Sequence, residues 1–320
     1  MLLTAYLLAL LALVLAWPVP VALSRARWTA RSPFAAMVLW QSIALAGGLS
    51  MIGAMLVYGL EPLGGNLLAA LRRATTIVLG NESPGELHFW HLFALCTAAL
   101  LTVHLVFTLL LTYARIVTQR RRHRELLALL SSPSGALDRT WVINHPAPVA
   151  YCLPGGSRSV TVLSDGLMEA LAPEELAAVV RHERAHLTQR HHLLLWAFEA
   201  WRAALPWLPT SRLARAAVNS LVEMLADDVA RRSTPDAVLV RAIALVAVGS
   251  ADDGERPPGA HGGSLPATMD NGEDVDVAAR LSRLLTPRPP LGRTATAGVL
   301  TASALLLAVP TVLLLAPGIA

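Results

Sequence analysis

The sequence predicts a mainly α membrane protein, with four transmembrane helices and one α+β domain inserted between the third and the fourth. Three observations carry this. Hydrophobic residues make up 54% of the 320 and mean hydropathy is +0.52, a balance expected of chains that enter a bilayer. The apolar residues gather into four runs, each long enough to cross the hydrocarbon core at about 1.5 Å of rise per residue. The polar residues gather into one stretch, where short β-branched segments precede a helical pattern. The expected division is 1–118 for three spans, 119–293 for the inserted domain, and 294–320 for the fourth span and a short C-terminus.

The spans follow in order. Residues 2–23 are almost all apolar and end near Pro18 and Pro20. No basic segment precedes them and no small-residue cleavage site follows, so they read as a retained span rather than a signal peptide. The second span, 34–60, carries Gly47, Gly48 and Gly53 as places for close helix contact. The third covers about 89–117. His88, His91 and His104 fall in or beside it, where they serve better at the headgroup boundary beside Trp90, or bonded to a neighbouring helix, than as a metal site. The fourth covers about 295–316.

Charge placement orients the chain. All 26 basic residues are arginine and the formal net charge is +4. Arg25, Arg27 and Arg31 crowd the first loop, Arg115, Arg120, Arg121, Arg122 and Arg124 follow the third span, and Arg288 and Arg293 precede the fourth. Between spans two and three only Arg72 and Arg73 stand against Glu61, Glu82 and Glu86. The positive-inside rule then places both termini outside and the inserted domain in the cytoplasm. The run from Arg120 to Arg124 suits anionic lipid headgroups. No recognition fold or interleaved aromatic pattern accompanies it, so no direct nucleic-acid partner is expected. Two cysteines, Cys96 and Cys152, supply neither a disulfide framework nor a thiolate metal site.

Within the inserted domain, residues 140–144, 149–153 and 159–163 are expected to form a small antiparallel sheet, with 160–163 either an edge strand open to an extended peptide or ordinary scaffold. A helix should follow from Pro173, with Glu174 and Glu175 in its first turn. It carries His182, Glu183 and His186 in the spacing His-Glu-x-x-His. On a helix the two imidazoles share a face and can share one zinc ion, and Glu183 can take a proton from a zinc-held water. Histidine and carboxylate must supply all the ligands. A third is needed if one coordination position is to stay open. Glu223 is preferred and Glu199 is the alternative. Glu223 lies one helical turn before Asp227, a carboxylate placed to bond the outer ring nitrogen of a ligating histidine. Residues 192–209 are expected to form an amphipathic helix at the membrane surface or over the site, 250–274 a flexible loop, and 275–285 a short helix leading to the fourth span.

Three segments, 162–167 (Val-Leu-Ser-Asp-Gly-Leu), 176–186 ending in His-Glu-Arg-Ala-His, and 223–227 (Glu-Met-Leu-Ala-Asp), resemble the BlaR/MecR-type membrane zinc metallopeptidases. These are gluzincins related to the heat-shock and prenyl-protein-processing membrane proteases. The layout of three spans, a domain and a fourth span extends the resemblance over nearly the whole chain. It implies a zincin-like metalloprotease fold for the inserted domain, in a bacterial cell membrane. It also implies one zinc ion held by His182, His186 and Glu223, Glu183 as general base, and Asp227 behind a ligating histidine.

The resemblance further implies a cytoplasmic protein substrate, a winged-helix repressor or the enzyme itself, cleaved in regulated signalling. Rival readings are a membrane quality-control protease and a non-catalytic zinc-binding signal transducer. Arg184 stands where the family often has leucine. Antibiotic-sensing relatives carry a penicillin-binding domain after the fourth span, and none is expected here. Their acylated Ser-x-x-Lys needs a lysine, which this sequence lacks, so no direct β-lactam binding is expected.

Overall fold

The computed structural model describes residues 1–80, 87–133, 139–155, 159–252 and 272–315. The chain divides into two compact units. One comprises Met1–Leu109, Trp201–Ala214 and Leu291–Ala320; the other comprises Leu110–Ala200 and Arg215–Pro290. Among the described residues, four helical stretches are long and apolar enough to cross a membrane: Leu2–Ser24, Pro33–Leu63, Phe89–Leu129 and Arg293–Leu315.

The first unit holds the membrane-length helices. Helix α1 (Leu2–Ala16) stops because Pro18 has no N–H to continue it, and the chain restarts as α2 (Pro18–Ser24) with that proline at its first position. Helix α3 (Pro33–Leu60) is central, with both α1 and α12 (Arg293–Leu315) packed on it. Close approach here depends on missing side chains. A Cβ at Gly53 would come within 2.9 Å of Leu314, and one at Gly48 within 2.9 Å of Trp201. Helix α4 (Leu67–Val78) is capped by Asn66, whose side chain accepts from the Ala69 N–H at 2.8 Å.

Helix α5 (Phe89–Leu130) has 42 residues, about 60 Å of helix and twice the hydrocarbon thickness. The third span was expected to end near 117, but Arg, Glu and Leu beyond it are good helix formers and the helix does not stop there.

Residues 192–204 are helical, as expected, and 205–208 form a turn. They belong to α8 (His191–Ala204) and the turn into α9 (Pro209–Ala230), and Trp201–Ala214 is part of the membrane-helix unit. Leu205 and Leu208 are buried there with Met51, Leu101 and Leu105. The turn also satisfies its own polar groups. Thr210 Oγ1 donates to the Leu15 carbonyl at 2.9 Å, Ser211 Oγ donates to the Leu205 carbonyl at 2.6 Å, and His104 Nε2 donates to the Ala204 carbonyl at 3.0 Å. A helical turn among apolar helices needs those partners, and the charges on Glu199 and Arg202 made the segment read as more polar than its tip is.

The second unit is α+β. Strands β1 (Ser131–Pro133), β2 (Thr140–Ile143), β3 (Ala150–Leu153) and β4 (Val160–Ser164) form one sheet in the order β1-β2-β4-β3. Two expectations are corrected. The sheet is mixed, because β2 and β4 run parallel, and β4 is paired on both sides, so it is not an edge. The edges are β1 and β3. The full burial of Val162 and Leu163 is the physical reason, since a strand covered on both faces belongs inside the sheet.

From β4 the chain turns sharply into α6 (Asp165–Ala170). Ser164 Oγ accepts from the Leu167 and Val149 N–H groups at 3.1 and 2.9 Å and donates to the Ala147 carbonyl at 2.6 Å. A Cβ at Gly166 would lie 1.8 Å from the Pro146 carbonyl oxygen, so only glycine fits.

Helix α7 (Pro173–Thr188) starts on Pro173, and the Glu175 carboxylate accepts from the Ala172 N–H at 2.8 Å, a first-turn bond that Ala172 itself cannot make. Its Val180 packs with Leu163, Leu167 and Leu171, and Ala178 with Ala230, Leu239 and Leu284. Helices α10 (Asp236–Asp252) and α11 (Gly272–Leu285) complete the unit. The expected loop 250–274 is shortened at both ends by these helices, and 253–271, like Glu82 and Glu86, lie outside the described residues.

Candidate metal centre

Helix α7 presents one buried face made of Glu175, Ala178, His182, Ala185 and His186. The i, i+3, i+4 spacing produces that face, and the small alanines leave room for a second helix. Helix α9 brings Glu223 to that face. The ligand atoms of His182, His186 and Glu223 all lie within 4.8 Å of one another. The two Nε2 atoms are 3.3 Å apart. Glu223 Oε2 is 3.3 Å from the first and Oε1 is 3.5 Å from the second. Glu199, the alternative third ligand, instead receives a hydrogen bond from Arg215 Nε.

The outer ring nitrogens are also engaged. His182 Nδ1 sits 2.9 Å from Asp227 Oδ1, a close pairing with the ring turned off the ideal N–H···O line. His186 Nδ1 sits 3.1 Å from His191 Nδ1, and His191 Nε2 sits 2.7 Å from Gln189 Oε1. With the amide oxygen accepting from His191 Nε2, the His191 Nδ1 lone pair accepts from His186, which leaves the His186 Nε2 lone pair free. Asp227 takes the corresponding place behind His182. Sequence reasoning found Asp227 and missed His191, whose only signal is its place five residues after His186.

A second miss is Arg280 on α11. Its Nε and Nη2 donate to Asp227 Oδ2 and Oδ1 at 2.8 and 2.7 Å, and its Nη1 lies 3.1 Å from Glu223 Oε2. In sequence it is one arginine among 26, with no motif around it.

Burial and charge set the protonation states. Burial pushes His186 down to about 4, so it is neutral at physiological pH. Burial also works against a charge on His182, but the Asp227 and Glu223 carboxylates outweigh it and raise the group to about 10. Asp227 is lowered to about 2, because Arg280 and then His182 more than offset its burial. Glu223 is held well below the carboxylate range by His186, Arg280 and His182, again against burial. Glu183 goes the other way: burial lifts it to about 7. Its carboxylate accepts from the Cys152 backbone N–H on β3, while Oε2 is buried with no hydrogen-bond partner among the described residues.

These residues fit zinc. Tetrahedral zinc with nitrogen ligands at 2.0–2.1 Å separates those ligands by about 3.3 Å, which is the spacing of the two Nε2 atoms. The donor set is histidine and carboxylate, both histidines have outer partners, and a glutamate oxygen waits beside them without a bond. Two histidines and a glutamate from a second helix define the metalloprotease class in which Glu follows the His-Glu-x-x-His helix.

Residues 117–245 match the model of Peptidase family M48. The matched stretch contains His182, Glu183, His186, Glu223 and Asp227 and stops before Arg280. No solved structure matches the chain. The protein is thus a zinc metalloprotease whose residues 117–245 are similar to Peptidase family M48, in a chain with four membrane-length apolar helices among the described residues.

Proposed function

We propose that this protein is a membrane endopeptidase of the BlaR/MecR type, with its peptidase domain on the cytoplasmic side, that cleaves a cytoplasmic protein in regulated signalling. Its substrate is a winged-helix transcriptional repressor or its own chain. Glu183 carries the chemical part of this reading. A transducer with a merely structural metal has no use for a buried glutamate oxygen left without a partner.

His182, His186 and Glu223 would hold zinc, which would supply Lewis-acid polarisation of the scissile carbonyl and lower the pKa of a water at the site toward neutrality. Glu183 Oε2 then accepts the water proton and passes it to the leaving amine, while the Cys152 N–H keeps the carboxylate oriented. Asp227 fixes the His182 ring and His191 the His186 ring. Strand β3, which supplies the Cys152 N–H, is an edge of the sheet and suits an extended peptide laid alongside it by backbone pairing. The arginines of the first loop and of α5 support the cytoplasmic placement.

The test is cleavage by the zinc-loaded full-length protein in detergent, offered the repressor encoded beside its gene and, separately, an unfolded protein. A single cut in the repressor, absent with Glu183→Gln, is expected. Degradation of the unfolded protein with the repressor left whole would favour the quality-control reading. Cysteine labelling in intact and opened cells tests the side on which residues 119–293 lie.

A further inference from the structure

The M48 match ends at residue 245, yet the metal centre does not end there. We propose that Arg280 is a positioning residue of the metal centre, holding the Glu223 and Asp227 carboxylates in the orientation that metal binding requires. This rests on the metal-site reading above and extends it to a helix outside the matched stretch.

The guanidinium is buried, with 13% of the side chain exposed, and each of its three nitrogens contacts one of two carboxylates. Nε and Nη2 form a parallel fork to Asp227, the geometry that gives arginine its directional strength. Nη1 turns to Glu223 Oε2, the oxygen that also sits 3.3 Å from His182 Nε2. A glutamate side chain has three rotatable bonds, and 32% of this one is exposed. The arginine fixes one carboxylate oxygen and thereby the plane of the group facing the two imidazoles. With those donors engaged, Arg280 is a scaffold for the ligands rather than a group for the substrate.

The charge balance agrees. Glu183, Glu223 and Asp227 place three carboxylates in one buried cluster, and Arg280 together with a dication brings it close to neutral. Removing Arg280 leaves Asp227, 1% exposed, with the His182 ring as its remaining partner, and uncompensated buried charge is strongly unfavourable.

Arg283 on the same helix provides the control. Its Nη2 donates to Asp228 Oδ2 at 2.8 Å and its Nη1 to the Met224 carbonyl at 3.4 Å. Arg283 thus fastens α11 to α9 without meeting a ligand atom in any of these bonds. Loss of α11 docking and loss of ligand positioning can therefore be told apart.

The experiment uses full-length protein in detergent: wild type, Arg280→Gln, Arg280→Lys and Arg283→Gln. Each is loaded with cobalt(II) to read the visible d–d bands, and zinc affinity is measured by chelator competition. Arg280→Gln is expected to bind zinc about 10- to 100-fold more weakly, the usual cost of losing a partner behind the ligands, with altered cobalt bands. Arg280→Lys keeps the charge but not the fork, so it should fold, shift the bands and weaken zinc by less. Arg283→Gln should lower the melting temperature and leave bands and affinity at wild-type values. Wild-type bands and affinity in Arg280→Lys and in folded Arg280→Gln would overturn the proposal, and Arg280→Lys decides alone if Arg280→Gln fails to fold. So would an Arg283→Gln variant that changes the bands as Arg280→Gln does, because docking would then be the cause. A wild-type protein that takes up no cobalt would remove the metal site and this proposal together.

Discussion

Two pairs of histidines in this molecule show what separates a metal centre from a helix fitting. His182 and His186 sit four apart on α7, their ring centroids 5.0 Å apart. His88 and His91 sit three apart at the start of α5, their centroids 5.8 Å apart. Either spacing can point two rings the same way. The difference lies in what crosses them. Helix α9 brings Glu223 and Asp227 to the first pair, so both nitrogens of His182 face a carboxylate. At the second pair, His91 Nδ1 accepts from the His88 backbone N–H at 3.3 Å and its ring packs on Tyr58, a local bond at a helix start. The spacing provides an opportunity, and a second element with carboxylates turns it into a site.

The largest expected effect breaks the first pair from its third ligand. Glu223→Ala should lose zinc and all peptidase activity, while Glu199→Ala keeps stoichiometric zinc because Glu199 is bound by Arg215 instead. Elemental analysis of the purified variants decides between the two glutamates. Next comes the proton carrier. Glu183→Gln should retain zinc and lose about 10³-fold in kcat, within the 10²–10⁴ range for general-base loss. Full activity in that variant would sink the assignment.

A smaller effect concerns Asp227. The Asp227 and Glu223 carboxylates hold a proton on metal-free His182 up to about 10 against its burial, so zinc must expel that proton to enter. Zinc affinity should therefore rise with pH from neutrality toward about 10, by about tenfold per unit for one proton displaced. Asp227→Asn withdraws one of the two charges that raise His182, so the proton should leave at lower pH and the slope should flatten above that lowered value, while loss of the ring's partner weakens zinc at the alkaline plateau. Chelator competition across pH measures both, and an unchanged slope would dissociate Asp227 from His182.

How much of this was legible in sequence follows from the range of each interaction. The apolar runs, the α7 start at Pro173 and the His-Glu-x-x-His face are written in neighbouring residues, and periodicity reveals them. Glu223 and Asp227 were reachable because they share one helix turn and leave a pattern. Arg280 was not: it reaches Asp227 across 53 residues, and nothing near it marks it apart from any other arginine. The sheet order failed for a related reason. Val160–Ser164 is a strand by composition, but whether one or two strands flank it is decided by β2 pairing across the sheet. The burial of 201–214 was not legible because its partners lie far off in sequence: Thr210 donates to the Leu15 carbonyl, and Ala204 accepts from His104.

The smallest predicted effect returns to the histidines of the membrane unit. His104 Nε2 donates to the carbonyl of Ala204, the last residue of α8, one of the end carbonyls that its helix leaves without a partner. Among apolar helices such a carbonyl has little water to turn to, yet measured side-chain hydrogen bonds in membranes contribute only about 0.6 kcal/mol on average and about 1.7 at most. His104→Leu should therefore cost about 1 kcal/mol of stability in detergent and change neither zinc content nor turnover per zinc. If His104→Leu instead lost zinc, the contrast between the two groups of histidines would fail, and the turn at 201–214 would have to be counted among the elements that build the metal centre.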